Sequence, residues 1–324
     1  MTKLSYGSKL TDAYEVFSNM TQDIPVLIIV FNRSWHLSRV MEALRVIRPA
    51  RLFIAGDGPR KDHPGEEQLC CEARKAVTDA VDWPCSLQTR FQAENQGCGK
   101  HVTGAVDWFF ENVTEGIILE DDCVPSADFF RFAAELLQRY RNSEEVMMLS
   151  GTALVKAASP SPFDYDFLAF PCCWGWATWR RAWRKMSYDM PDFPQYKSSG
   201  AIKKSFSSPR VQKRLLELFF KVYSHAPGFD TWDFQWLYAC VKTGGVCILP
   251  SSNLVSNVGW DASHARIDDV MEMPFESISA LRHPTEIRRN LELERIFFER
   301  IYAKAPLWVR LFNRLKKILS REKR

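Results

Sequence analysis

Three short apolar runs, each stopped by polar or glycine residues and followed by a helical repeat, restrict this chain to an alternating strand and helix architecture. The first, Val26 to Phe31, ends at Asn32-Arg33-Ser34, after which Leu37, Val40, Met41, Leu44 and Ile47 recur at helical spacing. That reads as a buried strand followed by a helix with Ser34 as its N-cap. The second, Leu52 to Ala55, stops at Gly56-Asp57-Gly58-Pro59, and a polar helical stretch follows to residue 80. Residues 86–91 (SLQTRF) give a less apolar strand, after which the loop Ala93 to Gly99 leads into a helix carrying Val102, Val106, Phe109 and Phe110. The third apolar run, Gly116 to Leu119, ends at Glu120-Asp121-Asp122, and Pro125-Ser126 opens a helix with Phe129, Phe130, Ala133, Leu136 and Leu137 on one face.

This alternation predicts an α/β fold with a mostly parallel central sheet flanked by helices. Ligands of such sheets collect at the carboxyl ends of the strands. Asn32, Arg33, Asp57, Asp121 and Asp122 all fall there. From residue 146 the pattern becomes mixed, with strands expected at 146–149, 167–170 and 246–249, helices at 209–223 and 231–242, and a tryptophan-dense stretch from Trp174 to Trp183.

With 324 residues and 46% hydrophobic content the chain can bury a full core. Its net charge of +4 is concentrated in residues 301–324, which hold eight Lys/Arg and one Glu. The body is therefore slightly acidic and shows no nucleic-acid footprint. No run of about 18 apolar residues exists, and the N-terminus lacks the apolar core of a signal peptide, so a cytoplasmic location is expected. Nine cysteines without Cys-x-x-Cys spacing read as reduced thiols, with Cys98, Cys123, Cys240 and Cys247 expected inside core elements.

Three adjacent acids after a buried strand repel one another and lose solvation. A divalent cation offsets that cost, and Mg²⁺ or Mn²⁺ needs only one or two protein carboxylates when phosphates and water complete the shell. The alternative is a solvated acidic loop at the start of the next helix, where carboxylates meet the helix dipole favourably.

The series VLIIVFNRS, LFIAGDG, AENQGCGKH, IILEDDCVPSADFF and CCWGWATWRRAW resembles the bacterial GT-A glycosyltransferases of the family-2-like group over about residues 24–265. The EDD triplet is similar to that of N-acetylglucosaminyltransferase I. The resemblance implies a GT-A fold, a nucleoside-diphosphate sugar donor, most often a UDP-sugar, and Mn²⁺ or Mg²⁺ as cofactor. It implies Asp122 as the metal ligand, and Glu120 and Asp121 as contacts to donor sugar, ribose or bound water. It gives Asp57 the N3–H of the base and Arg33, beside Asn32, a base or phosphate contact. The loop with Asn95, Gly97 and Lys100 is placed near ribose and diphosphate; its two glycines before a helix also suit an anion in their own right.

An inverting transfer needs a carboxylate to take the acceptor proton. The resemblance places that base at Asp233, although this chain has one residue more before the next tryptophan, and Asp230 is the runner-up or an N-cap of the same helix. His264 matches a late loop histidine that reaches diphosphate or metal. Trp174, Trp176, Trp179 and Trp183 suit either sugar stacking or the core.

Expected segments are an N-terminal extension (1–23), a nucleotide-sugar half (24–150), an acceptor half (151–290) and a C-terminal basic amphipathic helix (291–324). In the last, Leu307, Trp308, Leu311, Phe312, Leu315, Ile318 and Leu319 oppose Arg310, Arg314, Lys316, Lys317 and Arg321. Such a helix suits the anionic inner face of the cell membrane, with a glycan or lipid-linked acceptor, or docking on the protein's own body. Competing readings are a sugar-phosphate nucleotidylyltransferase, which needs a Gly-rich basic N-terminal loop absent here, a glycoside hydrolase and a non-catalytic carbohydrate-binding protein.

Overall fold

The computed structural model describes residues 21–156, 161–259, 275 and 280–303. The C-terminal basic helix of 305–320 and His264 lie outside the described residues. The first half alternates as predicted: β1 (Val26–Val30), α1 (Ser34–Ile47), β2 (Arg51–Gly56), α2 (Glu66–Asp79), β3 (Ser86–Phe91), α3 (Cys98–Asn112) and β4 (Glu115–Glu120). A short β5 (Cys123–Pro125), then α4 (Ala127–Arg139) and β6 (Val146–Ser150), follow. The second half comprises β7 (Tyr165–Leu168), β8 (Trp176–Trp179), the helices α5 (Arg180–Trp183), α6 (Phe193–Ser199), α7 (Ile202–Ser205), α8 (Pro209–Tyr223) and α9 (Asp233–Lys242), then β9 (Val246–Pro250), β10 (Val255–Asn257), α10 (Leu291–Phe297) and a π-helical turn at Phe298–Tyr302.

One eight-stranded sheet with the order β3-β2-β1-β4-β8-β6-β9-β7 unites both halves. Strands β3, β2, β1 and β4 are mutually parallel. Strand β8 runs antiparallel between β4 and β6, and β6 pairs parallel with β9. The fold is thus of the predicted α/β class, Rossmann-like in its first half. Every residue of β1 is buried because helices cover both sheet faces: Val26, Ile28 and Val30 pack with α1 and α4 on one side, Leu27 and Ile29 with α3 on the other. Edge strand β3 is polar and largely exposed for the opposite reason.

Several local expectations change. Helix α1 begins at Ser34 itself with Arg33 in the cap position and no side-chain capping bond, since the Arg33 side chain is engaged elsewhere. Ser126 does cap α4, accepting from the Phe129 N–H. Helix α9 begins at Asp233 with Trp232 as its cap residue, leaving Asp230 outside that role. Strand β7 lies two residues earlier than expected. Cys98 is exposed at the head of α3, not buried in a core element. Trp176, Trp179 and Trp183 belong to the core: Trp176 packs on Trp232 at 5.4 Å and on Trp183 and Trp236 at 6.0 Å, and Trp174 is half-buried. Among the described residues no helix is long and apolar enough to cross a membrane.

Candidate active site

The parallel pairing brings three strand ends level: Val30 stands opposite Gly56, and Ile29 opposite Glu120. The chain segments leaving these strands therefore meet in one place. The two-stranded sheet of β5 and β10 adds a fourth segment, setting Asn257 opposite Cys123 directly after the acids.

Asp121 and Asp122 are buried and share one guanidinium. Arg33 ion-pairs with Asp121 and lies 2.9 Å from Asp122 Oδ2. Burial opposes the Arg33 charge, but the two acids outweigh it and raise its pKa. The second oxygen of Asp121 accepts from the Phe31 N–H at 3.4 Å. Asp122 Oδ1 accepts from Asn257 Nδ2 at 3.2 Å, and its carbonyl from the Val258 N–H at 2.8 Å. Gly259 passes so close that a Cβ there would lie 2.1 Å from Asp122 Oδ2 and 3.0 Å from the Arg33 guanidinium. A larger residue there would have to displace the Asp122 carboxylate.

The side chain of Glu120, at the end of β4, has no hydrogen-bond or ion-pair partner among the described residues. Desolvation, then repulsion from Asp122 and Asp121, push its pKa up to about 8. Burial also moves Asp121 up to about 6, with Arg33 pulling the other way. One Arg therefore leaves the triplet with excess negative charge. No three His, Cys, Asp or Glu side chains among the described residues converge as a ready-made metal cage.

Asp57 faces the protein. Its Oδ1 accepts from Gly58 N and Gln96 N, and its Oδ2 from Asn95 Nδ2, each at 2.9 Å. The carboxylate thereby shapes the loop that begins at Asn95. His101 lies beneath it, with Nδ1 3.7 Å from Asp57 Oδ1 and its pKa lowered by burial. Asn32 donates to Glu66 Oε1 at 2.9 Å, and Glu66 also receives Arg60. Lys100 is exposed on α3.

The N–H groups of Cys98 and Gly99, which the glycine spacing offered to an anion, are instead taken by Asp230, both at 2.9 Å. Asp233 stands at the first position of α9, where its carboxylate accepts from the Thr231 hydroxyl and, at 3.0 Å, from the Phe234 N–H. It is open to solvent, yet the protein around it desolvates the carboxyl enough to raise its pKa against those hydrogen bonds. Its charge acts on Glu120, Cys98, Cys173 and Tyr302. The carboxylate at the head of α9 thus stands close enough to the end of β4 for its charge to reach Glu120, and Cys98 feels both acids.

Asn32, Arg33, Asp57, Asn95, Gly97, Glu120, Asp121 and Asp122 gather around the strand ends, and the charge of Asp233 reaches Glu120 among them. Asn257, Gly259, Glu66 and Asp230 were not foreseen in these roles. Apart from Arg60, which lies only six residues from Glu66, their partners lie tens of residues or more away, and spacing along the chain carries no signal for such pairs.

No protein-family model and no curated protein sequence matches the chain. Among solved structures it is similar to HddC from Yersinia pseudotuberculosis, at 10% identity over 49% of this chain and 77% of that one, with a TM-score of 0.30. It is also similar to a proposed glucose-1-phosphate thymidylyltransferase from Bacillus anthracis, in complex with a sucrose, at 10% identity over 52% and 77% of the two chains, with a TM-score of 0.30.

Proposed function

We propose that this protein is a glycosyltransferase of the GT-A type, moving a sugar from a nucleoside-diphosphate donor, in particular a UDP-sugar, to a hydroxyl of a glycan or lipid-linked acceptor. The observation that carries the reading is the under-compensated acid triplet at the carboxyl end of β4, level with the ends of β1 and β2, with a separate carboxylate at the head of α9 near enough for its charge to reach Glu120. A hydrolase pair alone would leave three clustered acids without a role.

Oxygen donors with excess negative charge fit Mn²⁺ or Mg²⁺, which take one or two carboxylates and complete their shell with phosphate and water. Asp122 would hold the ion, with the unpartnered Glu120 beside it. When bound, the ion supplies Lewis-acid stabilisation of the charge that develops on the leaving diphosphate. Arg33, Asp121 and Glu120 border the donor, and the Asn95 to Lys100 loop flanks its ribose and diphosphate. Asp233 accepts the proton of the acceptor hydroxyl as that oxygen attacks the anomeric carbon and the bond to the diphosphate breaks, with inversion. His264 joins the diphosphate or metal, as the resemblance implies.

The basic amphipathic pattern of 305–320 supports peripheral binding to an anionic membrane surface from the cytoplasmic side. Flotation with phosphatidylserine vesicles would then fail for a 1–304 truncation. The catalytic reading is tested by incubating the protein with a panel of UDP-sugars, Mn²⁺ and sugar or alkyl-glycoside acceptors. Acceptor-dependent UDP release is expected. Release of pyrophosphate from a nucleoside triphosphate and a sugar 1-phosphate would instead establish a nucleotidylyltransferase, and sugar binding with no turnover a lectin-like protein.

A further inference from the structure

Asp230 joins two segments that stand far apart in sequence. Its two carboxylate oxygens each take one backbone donor from the head of α3, Cys98 N–H on Oδ2 and Gly99 N–H on Oδ1, both at 2.9 Å. The fit is close on both sides. Gly97 has φ 82°, and a Cβ there would stand 2.6 Å from Asp230 Oδ2; a Cβ on Gly99 would stand 2.6 Å from the Thr231 carbonyl and from the Tyr188 hydroxyl. The glycines are what let the 230–231 segment lie against the helix head.

The same loop is anchored at its other end. Asn95 and the Gln96 N–H bond the Asp57 carboxylate at the end of β2, each at 2.9 Å. On the far side of Asp230, the hydroxyl of the adjacent Thr231 bonds the Asp233 carboxylate. A continuous chain of contacts therefore runs from the end of β2 through the Asn95–Gly99 loop and Asp230 to Asp233.

We propose that Asp230 is a positioning residue, tying the segment that carries Asp233 to the donor-side loop so that the base is held at a fixed distance from the donor. The proposal rests on the glycosyl-transfer reading above. A carboxylate suits the task because only it offers two acceptors to two converging N–H groups; asparagine offers one acceptor and sets an NH₂ against the second N–H.

The test uses the full chain with Asp230→Asn and Asp230→Ala, the first keeping the side-chain shape if the second folds poorly. Both are expected to lower kcat about tenfold or more while the donor KM stays within about threefold, since misplacement of a reacting group costs rate before binding. Amide hydrogen exchange at Cys98 and Gly99 is expected to speed up in both, with the β1 and β4 amides unchanged. Sodium formate separates tying from simple capping. It can refill the two N–H groups of Asp230→Ala and restore their protection, but it cannot reconnect Asp233, so kcat is expected to stay low. Recovery of kcat with formate, unchanged turnover, or unchanged exchange at Cys98 and Gly99 overturns the proposal while leaving the transferase reading standing. Absence of acceptor-dependent UDP release from the wild-type protein overturns that reading, and this proposal with it.

Discussion

Arg33 shows how far a single side chain can depart from what its position along the chain suggests. It follows an apolar strand, where an exposed cation is ready for a phosphate, yet the fold turns it onto Asp121 and Asp122. Removing one partner of a largely buried ion pair leaves the other uncompensated. Arg33→Met should destabilise the protein by about 2–3 kcal/mol near pH 7, taken below the fully buried range because Arg33 retains some exposure. The loss should shrink near pH 4, where Asp121, its pKa raised to about 6, is protonated, and urea unfolding at both pH values checks it. Glu120 gives the complementary prediction. Its pKa is raised to about 8 in the folded state, so the folded chain keeps a proton that the unfolded chain gives up. Stability therefore falls as pH rises from the ordinary glutamate value through about 8. In Glu120→Gln that decline should flatten and Tm at pH 8 should rise, as read by thermal melts across pH 4 to 8. The acids themselves were legible in the sequence because three carboxylates after an apolar strand demand a reason. Their Arg33 and Asn257 partners were not, because pairing over such separations is set by the fold.

Elements built from local signals were the most legible. Strands β1, β2 and β4 announced themselves as apolar runs, and α8 was expected at 209–223, where it is found. Ser126, read in the sequence only as part of a helix opening, is the cap: its hydroxyl accepts from the Phe129 N–H at 3.3 Å. Ser126→Ala should cost about 1 kcal/mol, seen as a lowered midpoint in urea unfolding with an unchanged slope. Elements defined by non-local pairing were harder. Strand β8 lies inside the tryptophan-rich stretch, where bulk aromatic content hides the alternation; its Trp176 fills the core between sheet and α9, and its Trp179 lies in the opposite core with α4. Strand β10 is three residues long and exists only because β5 offers it an edge. The head of α3 looked like an anion site from its glycines, and sequence could not reveal that Asp230 supplies the anion.

At the scale of the whole molecule, the sheet crosses the expected division at residue 150 without interruption. Strand β8 from the second half hydrogen-bonds both β4 and β6 of the first, so neither strand is fully paired without it. A 24–150 fragment should therefore fail to unfold cooperatively in urea, whereas the full chain should give a single steep transition. The same continuity places the acids after β4 and the carboxylate of Asp233 on elements that pack against one sheet. Titration calorimetry of UDP with Mn²⁺, run beside acceptor-dependent UDP release, tests the division of labour between those carboxylates most directly. Wild type and Asp233→Asn should bind UDP with Mn²⁺ alike, Asp122→Asn should lose that metal-dependent binding, and Asp233→Asn should turn over at least about a hundredfold more slowly. Undiminished binding by Asp122→Asn together with near-normal turnover by Asp233→Asn would contradict the account.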